Sequence, residues 1–169
     1  MRIRKIAEFL SAILTPNNNF LLVDIGADLG LLGLKLLRNE LISEVWNVEL
    51  SKVSLKNSQK LYSEKGVDLK ARFFLSDGFS ELSFENIRGY KEILIVLAGL
   101  GSKKIITILE KLPEDWKTKQ LWLCCLPHAY PKKIREWSRD SEWKLLKEED
   151  FSLREKNYSI FLFSYGKVI

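Results

Sequence analysis

Apolar residues first recur at helical spacing near the start of the chain, where Ile3, Ile6, Ala7, Leu10, Ile13 and Leu14 make one stripe on an otherwise polar segment. The cluster Thr15-Pro16-Asn17-Asn18-Asn19 reads as a turn. Beyond it Phe20-Leu21-Leu22-Val23 is a continuous apolar run, the pattern of a strand buried on both faces. The two patterns then alternate. Helices are expected over 31–39, 51–65, 102–111 and 131–139, the second stopped by Gly66. Strands are expected over 44–50, 72–75, 92–98 and 121–126. Strands that alternate with helices imply crossover units in an open parallel sheet. The end of the chain breaks this rhythm: the strand-like runs 143–151 and 158–165 are joined by the polar link 152–157, which has no room for a helix. That predicts an antiparallel hairpin closing a mostly parallel, seven-stranded α/β sheet, with residues 1–169 forming one domain.

In such sheets ligands bind beyond the carboxyl ends of the strands, so the residues after each strand carry the chemistry. The first strand runs into Asp24-Ile25-Gly26-Ala27-Asp28-Leu29-Gly30, where Gly26 and Gly30 would let a ligand approach the backbone before a helix begins. A glycine loop by itself is weak evidence. The second strand ends in Glu49, about 20 residues beyond the loop, the offset at which a carboxylate accepts hydrogen bonds from ribose hydroxyls. The third ends Ser76-Asp77-Gly78, and a carboxylate there can accept from an exocyclic adenine amine. Taken alone, Asp77 is also an ordinary turn aspartate. Three acids ending successive strands are harder to assign to chance. The fourth strand ends Ala98-Gly99-Leu100-Gly101-Ser102, small residues that bring backbone close to the cleft, with Ser102 a candidate helix cap. The fifth ends Leu126-Pro127-His128-Ala129-Tyr130-Pro131, a rigid turn that offers His128 and Tyr130; a plain surface histidine is the alternative there.

Composition narrows the class only modestly. The 169 residues are 46% hydrophobic, enough for one core, and 27 Lys and Arg against 22 Asp and Glu permit a polyanionic partner without requiring one. Cys124 and Cys125 lie adjacent in an apolar run and read as buried thiols on opposite faces. With His128 the only histidine, no spaced Cys/His set suits a metal. The basic start Arg2-Ile3-Arg4-Lys5 is interrupted by Glu8 and Ser11 and shows no cleavage signal, and no run approaches the roughly 20 apolar residues of a membrane span. A cytoplasmic location is the expectation.

In order and spacing, Arg2-Ile3-Arg4-Lys5-Ile6-Ala7, the Asp24–Asp28 loop, Glu49, Asp77-Gly78, Ala98-Gly99-Leu100-Gly101, Leu126-Pro127 and Lys156-Asn157-Tyr158-Ser159-Ile160 resemble the bacterial tRNA (adenine-N1) methyltransferases, TrmK, which act on adenine 22. The resemblance spans essentially the whole chain and is most specific in the first loop and the Ala-Gly-Leu-Gly segment. It implies a class I, Rossmann-like methyltransferase fold, S-adenosylmethionine as methyl donor and tRNA as substrate. With that cofactor, the strand-tip residues Asp24, Gly26, Gly30, Glu49, Asp77, Gly78, Ala98 and Gly99 are expected around it. On the chemistry of methyl transfer, Asp28, His128 and Tyr130 are the catalytic candidates: Asp28 would stabilise developing charge or accept a proton from the exocyclic amine, or equally bind the methionine amine of the cofactor, and the other two would hydrogen-bond or stack on the base. Three departures concern that side. The family's Asp-His-Ala-Tyr-Leu-Pro appears as Asp28-Leu29-Gly30-Leu31-Leu32-Gly33, its Gly-Met-Gly-Gly as Gly99-Leu100-Gly101-Ser102, and its Gln-Pro-Asn as Leu126-Pro127-His128. The helical extension with which the family grips tRNA is also not found before Ile169. Methylation of another RNA site or a small molecule, or a non-catalytic cofactor- or RNA-binding paralogue, therefore stays open. A nicotinamide dehydrogenase is disfavoured by the closing hairpin.

RNA contact would call for cations beside the cleft. Lys103, Lys104, Lys132, Lys133 and Arg135 follow the fourth and fifth strands, and Arg2, Arg4 and Lys5 lie on the first helix. Lys52, Lys56 and Lys60, four apart, read instead as one solvated helix face.

Overall fold

A computed structural model describes residues 2–15 and 19–166; of the turn expected at 15–19, residues 16–18 lie outside them. In chain order the elements are α1 (Arg2–Ser11), β1 (Phe20–Ile25), α2 (Leu31–Arg38), β2 (Glu44–Glu49), α3 (Lys52–Glu64), β3 (Ala71–Leu75), α4 (Phe84–Ile87), β4 (Glu92–Ala98), α5 (Ser102–Leu109), β5 (Gln120–Leu126), α6 (Pro131–Arg139), β6 (Trp143–Leu153) and β7 (Lys156–Tyr165), with short 3₁₀ turns before β3 and β5. The strands form one sheet in the order β3-β2-β1-β4-β5-β7-β6. The first five pair in parallel; β7 runs antiparallel to both β5 and β6.

Period-2 alternation within the apolar runs divides the core. On β1, Leu21, Val23 and Ile25 join one cluster with Trp46, Ile95, Ile105 and Phe161, while Phe20 and Leu22 join another with Ile6, Leu36, Val45, Leu94 and Leu162. Adjacent Cys124 and Cys125 enter opposite clusters as free buried thiols. Helices therefore cover both faces, and truncating a fully buried side chain such as Ile95 to alanine should cost roughly 2–5 kcal/mol.

Two local expectations are corrected. The link expected at 152–157 is a two-residue turn: Ser152 pairs with Asn157 and Leu153 with Lys156, leaving only Arg154 and Glu155 unpaired. Both have positive φ, 50° and 62°, the conformation a tight hairpin of the right twist requires and one usually given to Asn-Gly. Ser102 does not cap α5 either. Gly101 holds the cap position, and the Ser102 hydroxyl stands within hydrogen-bond distance of the carbonyls of Ala129 and Tyr130, 2.7 and 2.8 Å away, tying α5 to the turn after β5.

From β1 the chain crosses to β2 on one side, whereas β4 lies on the other, so the order reverses between β1 and β4. A crevice opens beyond the carboxyl ends of two such strands.

Candidate active site

At that point a hollow of about 150 Å³ is lined by Asp24, Gly26, Ala27, Asp28 and Leu32 from the β1–α2 segment, Ala98 and Gly99 from the end of β4, Leu126 from β5, and Arg2, Ile3 and Ile6 from α1. The α1 wall follows from the stripe that docks this helix: Ile6 and Leu10 are buried while Arg2 stays exposed at the rim.

Asp24 belongs to β1 rather than to the loop expected after it, and it is only 5% exposed. Among the described residues no ion pair reaches it. Burial, with repulsion from Glu49 as a smaller cause, pushes its carboxyl up to about 7. Asp28 is exposed on the loop at φ 51°, a left-handed conformation that aspartate tolerates better than most residues. Its N–H donates to Glu49 Oε2 at 2.9 Å, and Ser51 N–H donates to Glu49 Oε1 at 2.9 Å. Glu49 thus clamps the β1 loop to the start of α3. Each of its oxygens has a second lone pair for an outside donor. Leu50, the next residue, is 62% exposed, a large apolar side chain left beside an acid at a strand tip.

Gly26 and Gly99 have φ of 77° and 76°. A Cβ at Gly26 would meet the Leu100 side chain at 3.8 Å, and one at Gly99 would lie 3.7 Å from Arg2 Nη1, so the positive φ rather than crowding calls for glycine at both. Gly30 has another role. A Cβ there would stand 2.6 Å from Ser58 Oγ, 2.7 Å from Asn47 Oδ1 and 2.9 Å from the Tyr62 ring, so this glycine is needed for packing beneath α2. The Tyr62 hydroxyl donates to the Gly30 carbonyl at 2.6 Å.

Asp77 and Gly78 stand apart from the hollow. Asp77 is exposed and paired with Lys104 Nζ at 2.9 Å, and that contact holds its carboxyl below the usual range. With Lys104, Thr107, Ile108 and Lys111 they line a separate shallow depression. Gly78 has φ 71°, and a Cβ there would meet Ile108 Cγ2 at 3.2 Å.

His128 adjoins the hollow. Its backbone N–H donates to Leu100 O at 3.0 Å, and its Nδ1 lies 3.2 Å from the Gly99 carbonyl, which can only accept. Nδ1 therefore carries the hydrogen and Nε2 is left free. Tyr130 is 73% exposed and lines neither the hollow nor the cleft beside it; Lys133 Nζ lies 5.6 Å from its ring centroid. That cleft, about 500 Å³, is lined by Arg2, His128, Leu153, Arg154, Lys156 and Tyr158. The last four belong to the hairpin, and Arg154, Lys156 and Tyr158 were not among the cations and aromatics expected at the site. Reading 152–157 as a polar link hid Arg154 and Lys156, and Tyr158 was expected only as the start of a strand; the tight turn fixes where they project.

Several expected RNA-facing cations are engaged with acids instead. Lys104 pairs with Asp77, Arg135 with Glu148 and Asp150, Lys132 with Glu136, and Arg4 and Lys5 with Glu8. Lys52, Lys56 and Lys60 are exposed on α3, as expected. Among the described residues no helix is long and apolar enough to cross a membrane, and no group of three or more His, Cys, Asp or Glu is placed to hold a metal ion.

Parallel crossovers, a closing antiparallel strand between β5 and β6, and a glycine- and acid-lined hollow at the β1/β4 tips define a class I, Rossmann-like methyltransferase fold. A model of the methyltransferase domain matches residues 1–161, and the chain belongs to that family. Among solved structures it is similar to an uncharacterized protein from Listeria monocytogenes serotype 4b, at 22% identity over 99% of this chain and 68% of that one, with a TM-score of 0.82. It is similar to M. capricolum TrmK in complex with S-adenosyl-homocysteine, at 18% identity over 100% of this chain and 71% of that one, TM-score 0.80. It is also similar to the B. subtilis m1A22 tRNA methyltransferase TrmK, at 23% identity over 98% of this chain and 65% of that one, TM-score 0.76. No curated protein matches the chain. The fold expectation and the likeness to TrmK structures are thus both met.

Proposed function

We propose that the protein transfers a methyl group from S-adenosylmethionine to N1 of an adenine in tRNA. The observation that carries this is Asp24: a buried carboxyl without a cationic partner among the described residues, pushed up to about 7, in the wall of a hollow whose glycines let a ligand reach the backbone. A buried acid of this kind suits a ligand that brings its own positive charge. The hollow is too small for the whole cofactor. It suits the amino-acid end, leaving the nucleoside to the open strand tips, where Glu49 has lone pairs for ribose hydroxyls and Leu50 offers apolar surface to a purine. The two TrmK structures, one with S-adenosyl-homocysteine, support the choice of cofactor and substrate.

The cofactor supplies an activated methyl group on a sulfonium. The chain's part is alignment and charge. Adenine N1 has a free lone pair and becomes cationic on methylation, so no covalent nucleophile is needed. Asp28, held in place through its own N–H by Glu49, faces the hollow from the exposed side and can stabilise that charge or accept a proton from the exocyclic amine. His128 Nε2 is free to hydrogen-bond the base. Tyr130 would need to turn inward to take part. Asp77 joins the cofactor residues only by giving up Lys104.

Labelled S-adenosylmethionine incubated with total tRNA, followed by nucleoside analysis, tests the reading. N1-methyladenosine is the expected product. A different methylated product would refute the substrate, and binding of S-adenosyl-homocysteine with no product from any RNA would establish a non-catalytic relative.

A further inference from the structure

We infer that the cleft between α1 and the β6–β7 turn is an anion site that grips the RNA backbone next to the base being methylated, with Arg2, Arg154 and Lys156 as its phosphate contacts. The inference rests on the methyltransferase reading for its direction and on separate observations for its location.

Charge is the first of these. Many basic residues on this surface are neutralised by nearby acids, but among the described residues Arg2, Arg154 and Lys156 form no ion pair. All three are exposed and line one cleft of about 500 Å³, within the roughly 300–1,000 Å³ span of small-ligand sites. Three uncompensated cations around one concavity repel one another, and a polyanion would relieve that cost.

The turn is the second. Arg154 and Glu155 hold positive φ in a two-residue hairpin where glycine or asparagine is the low-cost choice. A long cationic side chain at such a position costs conformational energy and is not needed to make the turn. What it provides is a guanidinium on a short rigid turn, set on paired strands rather than on a loop. Lys156 begins β7 on the other side of that turn.

Adjacency is the third. Arg2 lines both the cleft and the hollow, and His128, bonded to the Gly99 carbonyl of the hollow, lines the cleft. A target base presented at the mouth of the hollow would thus have its neighbouring phosphates within reach of the cleft. Tyr158, stacked on Phe151 with centroids 5.6 Å apart, adds an aromatic wall for an unstacked neighbouring base. This composition favours a nucleic acid strand over an acidic peptide, which would have no use for the histidine and the aromatic wall.

The test measures tRNA binding by fluorescence anisotropy across a salt series, independently of methyl transfer. For R154Q/K156Q the dissociation constant should rise roughly ten-fold or more at moderate salt, and the slope of log K against log salt should fall by about 0.7 for each cation removed. Affinity for S-adenosyl-homocysteine, read by calorimetry, should stay unchanged. Arg154→Gly separates recognition from folding: it should raise Tm by relieving the turn while still weakening tRNA binding. Lys56→Gln, on the solvated face of α3, should leave tRNA affinity where it was. An unchanged constant and slope for R154Q/K156Q overturns the proposal, as does competition by polyglutamate equal to that by tRNA, or a wild-type chain with no salt-dependent tRNA binding. A wild type that binds tRNA through these residues yet never forms N1-methyladenosine upholds the cleft and overturns the reaction.

Discussion

Asp24 and Asp77 are built into similar surroundings: each lies at or just beyond the carboxyl end of a parallel strand, and each is followed one or two residues later by a glycine at positive φ. Their chemistry diverges. Asp24 is buried without a cationic partner among the described residues and its carboxyl rises to about 7, whereas exposed Asp77 is paired with Lys104 and shifts the other way. What separates them is depth and company. In an open parallel sheet the tips of the two strands flanking the reversal point are walled in by their neighbours, while the tip of edge strand β3 has one strand beside it and open surface on the other side. The same residue types therefore make a receptive site at the centre and a satisfied ion pair at the margin.

The largest effect that would break this contrast comes from Glu49. Its carboxylate accepts from two backbone N–H groups as well as serving the proposed ribose, so Glu49→Ala should weaken S-adenosyl-homocysteine binding by about 100-fold and lower Tm; calorimetry and thermal melts check both. Asp28→Ala should lower turnover about 100-fold with little change in cofactor affinity, read from steady-state kinetics and calorimetry; equal losses would move Asp28 into the cofactor's own contacts.

Asp24→Asn should show opposite signs in two measurements. Burial raises the folded carboxyl from its ordinary 3.8 to about 7, so its ionised form opposes folding. That penalty is absent below the unfolded value, grows as pH rises between the two values and is constant above the folded one. Relative to wild type, the variant should gain stability across that window, by at most about 4 kcal/mol at pH 8 in urea unfolding. Its cofactor affinity should drop about ten-fold at pH 8. In wild type, affinity should fall as pH drops below 7, because the carboxyl must lose its proton to meet a cationic ligand.

The smallest effect should come from Asp77→Asn, with cofactor affinity changing less than about three-fold. A ten-fold loss would mean that the Lys104 pair opens when ligand binds, and the contrast with Asp24 would then be one of unliganded protein only.

Much of this arrangement could be read from residue order. Apolar-rich runs alternating with helical patterns located all the parallel strands, and the absence of room for a helix near the end of the chain located the hairpin, because both follow from periodicity and length. Glu49 and the Gly26 loop were legible because strand ends and glycines leave local marks. The state of Asp77 was not, since Lys104 lies 27 positions away and only the packing of α5 against the turn after β3 brings them together. The packing role of Gly30 was hidden for a related reason: its neighbours Asn47, Ser58 and Tyr62 come from β2 and α3, and nothing local marks a glycine that admits a side chain. The cleft at Arg154 was hidden by turn chemistry. Arg-Glu carries none of the usual signs of a two-residue hairpin, so the strands appeared to end sooner than they do.

The adjacent thiols of β5 offer a use of their own. Cys124 and Cys125 lie one in each core, and burial raises the pKa of both thiols well above the ordinary value, disfavouring the thiolate, so neither should react with an alkylating reagent while the sheet is closed. Their alkylation rates, resolved by mass spectrometry, would act as paired clocks, one for the loosening of each helical layer. Unequal rates would reveal which layer lifts away first.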